Sequence, residues 1–205
     1  MWTRRVENGD VITAQKWINA RVLNASEMSR DSRVAKLLSK IHHSEKLRQM
    51  LLKMGEVHLS AHDLLQKYQS DFLLKTETET FALKYLEENL TQVGSAIQVV
   101  CHGDVNHNNW MVSSDDELFL VDWDGAMLGD PAIDVAMLLY QYVPRDDWNS
   151  WLASYGESYS IELHRKLKWY ALFQTLRRLS DSMLPEVEKN KAEMLLNTIV
   201  KDDEV

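Results

Sequence analysis

Apolar residues recur every three or four positions through most of the chain, the period of one buried face of an α-helix. Residues 26–44 show it at Met28, Val34, Leu37, Leu38 and Ile41, with Ser26 or Ser29 as the expected N-cap. Shorter helices are expected over 45–55, closed by Gly55, and over 58–69. An amphipathic helix over 77–92 sets Phe81, Leu83, Leu86 and Leu90 against Glu87 and Glu88, and Gly94-Ser95 ends it. Asp130 followed by Pro131 marks another helix start, and the run to about Val143 is apolar nearly all round, which predicts burial in mid-domain. Beyond residues 146–155, a long helix over 161–181 and a last helix over 185–200 follow. The acidic tail 201–205 is expected to fray.

The helical period breaks where strands are expected. Residues 2–6 and 11–17 flank Glu7-Asn8-Gly9-Asp10, and Asn-Gly between strand-like runs is a strong hairpin signal. A lone hairpin is marginal in water, so more chain is expected before it. Apolar runs at 97–101 and 118–121 enclose a polar loop and are expected to act as one hairpin gathering Asp104, Asn109 and Asp122. The expected fold class is α+β, a mainly helical body with small antiparallel hairpins.

Composition narrows the class. The chain has 205 residues and 45% hydrophobic content, enough for a core. Seven Trp and seven Tyr against three Pro fit a helical body with few long loops. A net charge of −8 argues against nucleic-acid binding, which needs a basic face. Cys101 is the single cysteine, so no internal disulfide forms and a reducing compartment fits. With no apolar run of membrane-span length and no signal-peptide core near Met1, a cytoplasmic location is expected.

Two histidine pairs invite a metal reading, and both are better explained structurally. His42 and His43 are adjacent at a helix end, where side chains diverge by about 100°. His58 and His62 have helical spacing for zinc but lack the glutamate of a metalloprotease motif.

The loop after Cys101 has more chemistry. Asn109 and Asp122 offer a neutral and an anionic oxygen, the donors a hard cation such as Mg²⁺ takes alongside substrate phosphates. Asp104 is then left to accept a proton from an attacking hydroxyl, an arrangement suited to phosphoryl transfer. His102 is expected to brace the loop through a backbone carbonyl. His107 is the candidate contact to phosphate or acceptor.

His102-Gly103-Asp104, Asn109, Val121-Asp122-Trp123-Asp124 and Gly129-Asp130-Pro131 with Asp134 resemble, in order and spacing, the aminoglycoside phosphotransferase and choline kinase superfamily. The Asn-rich loop and Asp122-Trp123-Asp124-Gly125-Ala126 look most like its choline-kinase-like cell-cycle regulator branch of Gram-positive bacteria. The resemblance implies a two-lobed protein-kinase-like fold of which this chain is the helical C-terminal lobe (21–205). Residues 1–20 would then be the remnant hairpin and interlobe linker, the N-terminal lobe being largely absent. It implies Asp104 as catalytic base, Asn109 and Asp122 as Mg²⁺ ligands, Asp124 as a second, water-mediated metal contact, and Asp134 as the buried brace of the loop. Backbone groups of Lys16 and Ile18 would meet the adenine of ATP.

The implied activity is ATP- and Mg²⁺-dependent transfer of a γ-phosphoryl group to a hydroxyl of a small molecule such as choline, a sugar, a nucleoside or an aminoglycoside. Residues 1–17 hold no Gly-rich loop and no phosphate-pairing lysine, so turnover by this chain alone is expected to be weak. A noncatalytic binding or regulatory module of the same fold, with a possible protein partner, is the competing reading. A metal-dependent hydrolase is weaker, because it wants more carboxylates or histidines on the loop. Trp148, Trp151, Tyr155, Trp169 and Tyr170 are candidate acceptor walls, although core packing explains most of them as well.

Overall fold

Helix caps and strand ladders divide the chain in the computed structural model, which describes residues 2–5, 11–14, 17–94 and 98–202, the first two segments as backbone only. The strands are β1 (Trp2–Arg5), β2 (Val11–Ala14), β3 (Ala20–Val22), β4 (Val99–Cys101), β5 (Trp110–Ser113), β6 (Leu118–Leu120) and β7 (Met127–Gly129). The helices are α1 (Ala25–Arg30), α2 (Ser32–His42), α3 (Glu45–Lys53), α4 (Ala61–Tyr68), α5 (Glu77–Asn89), α6 (Ala132–Tyr142), α7 (Trp148–Tyr155), α8 (Ile161–Leu179) and α9 (Glu186–Val200). These strands pair antiparallel, β1 with β2, β3 with β5 and β5 with β6, and β4 with β7, and among the described residues a single parallel bridge joins His58 to Leu128. The fold class is α+β, mainly helical, as the sequence pattern predicts. Among the described residues no helix is long and apolar enough to cross a membrane.

Capping chemistry moves several boundaries. The helix expected over 26–44 is two helices, because Asp31 interrupts it and its side chain accepts from Arg33 N at 2.9 Å. Neither Ser26 nor Ser29 is the first cap. Asn24 is, in a reciprocal box with Glu27. His58 lies outside the next helix, which starts after Ser60 because Ser60 and Asp63 form a capping box. His58 and His62 therefore do not share a helix face. The Asn-Gly turn expected at 7–10 lies outside the described residues, although β1 and β2 pair on either side of it with Arg5 opposite Val11.

The core sits where α8 packs against α5, α6 and α9. In α6 every residue from Ala132 to Leu139 is buried, as its all-round apolar pattern requires. Trp169 on α8 stacks on Phe173 at 5.7 Å between ring centroids and donates its Nε1–H to Leu86 O. Trp148, Trp151, Tyr155, Trp169 and Tyr170 are all buried, as the core-packing explanation expects.

Residues 203–205 of the tail expected to fray lie outside the described residues, and Asp202 before them is tied down. Tyr140 donates to its carboxylate at 2.6 Å, Lys168 Nζ donates to its carbonyl at 2.6 Å, and His164 Nε2 lies 3.1 Å from Oδ2. Partial burial opposes ionisation of Asp202, yet the contacts from His164 and Tyr140 outweigh it and hold the carboxyl below its usual range. These bonds fix the end of α9 to α6 and α8, a constraint that local composition does not encode.

Candidate active site

The polar loop after β4 is built from two ladders rather than one hairpin. β4 delivers His102 and pairs with β7, with Val100 opposite Leu128. The β5–β6 hairpin is inserted between them, with Trp110 opposite Leu120. Val121 N donates to Asn109 O at 2.9 Å, extending that hairpin by one rung and seating Asp122 beside the loop.

His102 is fully buried and joins the two halves. Its Nε2 lies 2.9 Å from Val121 O, and its Nδ1 accepts from Asp104 N at 3.3 Å. A carbonyl partner requires a proton on Nε2, which leaves Nδ1 as the acceptor that Asp104 N needs. The ring also packs edge-on against Trp123, 4.8 Å between centroids.

Asp104 is exposed, but its orientation is set. Asn109 donates Nδ2–H bonds to the Asp104 carbonyl at 2.9 Å and to Oδ2 at 3.1 Å, while Asn106 Nδ2 donates to Oδ1 at 2.7 Å. Asn109 is buried and spends its amide nitrogen this way, so its side-chain oxygen faces elsewhere. Asp122 and Asp124 are exposed. Asp122 adopts φ 64°, a left-handed conformation that non-glycine residues hold at a cost of about 1–3 kcal/mol. Asp104, Asn109, Asp122 and Asp124 each carry a side-chain oxygen, the donor type of a hard cation.

Asp134, at the start of α6, is fully buried beneath the loop. Its Oδ2 accepts from His102 N at 2.6 Å and its Oδ1 from Gly103 N at 2.9 Å. A buried carboxylate needs such donors, and these two fix the backbone immediately before Asp104. Gly103 has φ 80°, and a Cβ there would run into Gly125 O. Gly103→Ala is therefore expected to destabilise the fold by more than about 1 kcal/mol and to displace Asp104. Thermal melting together with the transfer assay described below checks both effects.

The remaining expected site residues are less tightly grouped. His107 is half-buried against Tyr142, whose hydroxyl accepts from His107 N at 3.0 Å. Ile18 is 43% exposed, and Lys16 lies outside the described residues. His43 is exposed, whereas His42, the last residue of α2, is buried and bonded to Asp134.

Asp104 opens onto a cavity of about 580 Å³, walled by Gln141 from α6 and by Gln174, Arg177, Arg178 and Asp181 from α8 and its C-terminal end. The sequence does hold a signal for this wall. Positions 174, 177 and 178, followed by 181 just past the helix end, form a polar stripe at helical spacing on the half of α8 whose other residues, from Leu167 to Leu179, are buried.

A model of the phosphotransferase enzyme family known as APH matches residues 5–170. The chain belongs to this family. Solved structures give the same fold at low identity. Choline kinase LicA from Streptococcus pneumoniae is 19% identical over 87% of this chain and 67% of its own, with a TM-score of 0.65. A choline/ethanolamine kinase family protein from Mesorhizobium loti is 14% identical over 98% of this chain and 72% of its own, with a TM-score of 0.72. Spectinomycin phosphotransferase, solved with ADP and its antibiotic, is 12% identical over 99% and 77%, with a TM-score of 0.56. In this family member the groups that sequence reading missed are the α8 stripe, Tyr142, and the His42–Tyr155 pair behind Asp134.

Proposed function

We propose that the chain is the C-terminal lobe (21–205) of a small-molecule kinase, transferring the γ-phosphoryl group of ATP to a hydroxyl group. Residues 1–20 would lead into the facing lobe. Exposed Trp17 and Ile18 support that reading, because apolar side chains gain from being covered there. The observation that carries the proposal is Asp104, which is exposed at the mouth of the 580 Å³ cavity yet fixed by Asn106 and Asn109. An acceptor in the cavity would give its hydroxyl proton to Asp104 as its oxygen bonds to the γ-phosphorus and the bond to the β–γ bridging oxygen breaks.

The side-chain oxygen of Asn109 and the carboxylate of Asp122 fit Mg²⁺, with Asp124 as an outer contact. When bound, the ion would neutralise charge on the phosphates. In this reading His107, half-buried against Tyr142, would supply a phosphate or acceptor contact. The cavity wall combines the amides of Gln141 and Gln174, the guanidinium groups of Arg177 and Arg178 and the carboxylate of Asp181 with apolar Met137 and Leu184, and among the described residues no aromatic ring lines it. That chemistry favours a polyhydroxyl acceptor held by hydrogen bonds over a quaternary ammonium, which gains from aromatic faces. The single Cys101, buried and free, supports our assignment to a reducing compartment such as the cytoplasm.

The test is nucleotide-dependent phosphorylation of sugars, nucleosides, aminoglycosides and choline by the full chain, followed by mass spectrometry. We expect a phosphorylated polyol and little phosphocholine. Mg-ATP binding with no transfer to any of these would favour a noncatalytic module. Asp122→Gly separates stability from chemistry at one position. Glycine relieves the left-handed strain, so the melting temperature should hold or rise, by up to about 1 kcal/mol of stability, while Mg²⁺-dependent nucleotide binding falls. Magnesium titration monitored by calorimetry checks this, and unchanged metal dependence would remove Asp122 from the ligand set.

A further inference from the structure

Behind the loop, Asp134 has a third donor. His42, from the C-terminal end of α2, places Nε2 3.1 Å from Asp134 Oδ2, with both side chains essentially inaccessible to solvent. On the other side of the ring, Nδ1 lies 2.6 Å from the hydroxyl of Tyr155 at the end of α7. Burial raises the Tyr155 hydroxyl well above its usual range, so it stays protonated. It can therefore donate to Nδ1, which assigns the histidine proton to Nε2 and points it at the carboxylate. The order is then directional, from Tyr155 O–H to His42, from His42 N–H to Asp134, with the amides of His102 and Gly103 on the carboxylate from the opposite side.

A metal is the other use for such a cluster, since Cys101 Sγ joins His42 and Asp134 within 4.8 Å. Burial pushes the Cys101 thiol well up, and it donates instead to Asp130 O at 3.2 Å. Metal ligation needs the thiolate. The hydrogen-bonded assignment accounts for every polar atom of the group without an ion.

We propose that His42 is a positioning residue, setting the plane of the Asp134 carboxylate and through it the backbone that presents Asp104, with Tyr155 fixing the ring's tautomer. Two backbone amides hold the carboxylate from the loop side, and the histidine anchors it to α2. Because α2 packs against α7, the loop geometry is tied to that helix pair. The consequence for activity rests on the phosphotransferase reading, whereas the coupling itself does not.

The experiment compares His42→Leu, His42→Gln and Tyr155→Phe with the parent chain by amide hydrogen exchange and by transfer kinetics. Losing one buried bond should speed exchange at His102 and Gly103 by about tenfold or more relative to the β5–β6 ladder. In His42→Leu, kcat should fall by about 10–100-fold while the KM for nucleotide stays within about threefold, as expected for a misplaced base. Glutamine keeps a donor and should recover most of both effects, and Tyr155→Phe should give a smaller change in the same direction. Unchanged exchange at His102 and Gly103, an equal rise across β5 and β6, or glutamine no better than leucine would overturn the proposal. If the parent chain transfers no phosphate to any acceptor, the phosphotransferase reading fails and the exchange ratio alone decides the coupling.

Discussion

Asp104→Asn is expected to lower kcat for phosphoryl transfer by about 10²–10⁴-fold, the range for loss of a positioned general base. The substitution is nearly isosteric, but the amide cannot take the acceptor's proton. Its structural cost is small because the side chain is exposed. Asn106 and Asn109 each donate to one carboxylate oxygen, so an asparagine must turn its NH₂ toward one of them and lose that bond, about 1 kcal/mol. Nucleotide affinity should change little, since the reading assigns metal and phosphates to Asn109 and Asp122. Calorimetric titration with Mg-ATP beside steady-state kinetics separates these effects. Parallel loss of nucleotide binding and turnover would mean that Asp104 serves the nucleotide rather than the acceptor.

Asp134→Ala is expected to have the opposite signature, with stability and activity falling together. The change strands the buried amide of His102, the partly buried amide of Gly103 and the buried Nε2–H of His42. Each unsatisfied buried donor costs about 1–3 kcal/mol, and partial relaxation or water entry brings the net to about 3–5 kcal/mol. At roughly 2–4 °C per kcal/mol for a chain of this size, the melting temperature should drop by about 10 °C. Differential scanning calorimetry gives the shift. A loss within about 1 kcal/mol would show that the loop holds its shape without the carboxylate. The double variant with His42→Leu should lose less than the sum of the two single changes, because both remove the same contact.

Much of the fold was legible because helix and strand periods, caps and breakers are local. The apolar run after Pro131 predicts a buried helix, and residues 132–139 are buried without exception. The Ile161 and Pro185 segments read as helices close to their observed bounds. Where local reading missed, a stronger local signal was usually present. Asn24 with Glu27 and Ser60 with Asp63 form reciprocal boxes that outrank the serines and the His58–His62 spacing. The same locality made the order of Asp104, Asn109, Asp122 and Asp134 recognisable, since loop and strand lengths set that spacing.

Chain order alone therefore determined the element types, the motif order and the family resemblance, because each depends on neighbours a few residues apart. Tertiary packing decided the rest. His42 meets Asp134 across 92 positions and Tyr155 across 113, and Gln141 meets the α8 stripe only because α6 and α8 pack together. No spacing rule encodes such contacts. They arise when buried apolar faces choose their partners, and polar groups carried inward must then find hydrogen bonds or lose several kcal/mol. By that same packing, a histidine at the end of a helix becomes a buried partner of the carboxylate that holds the loop.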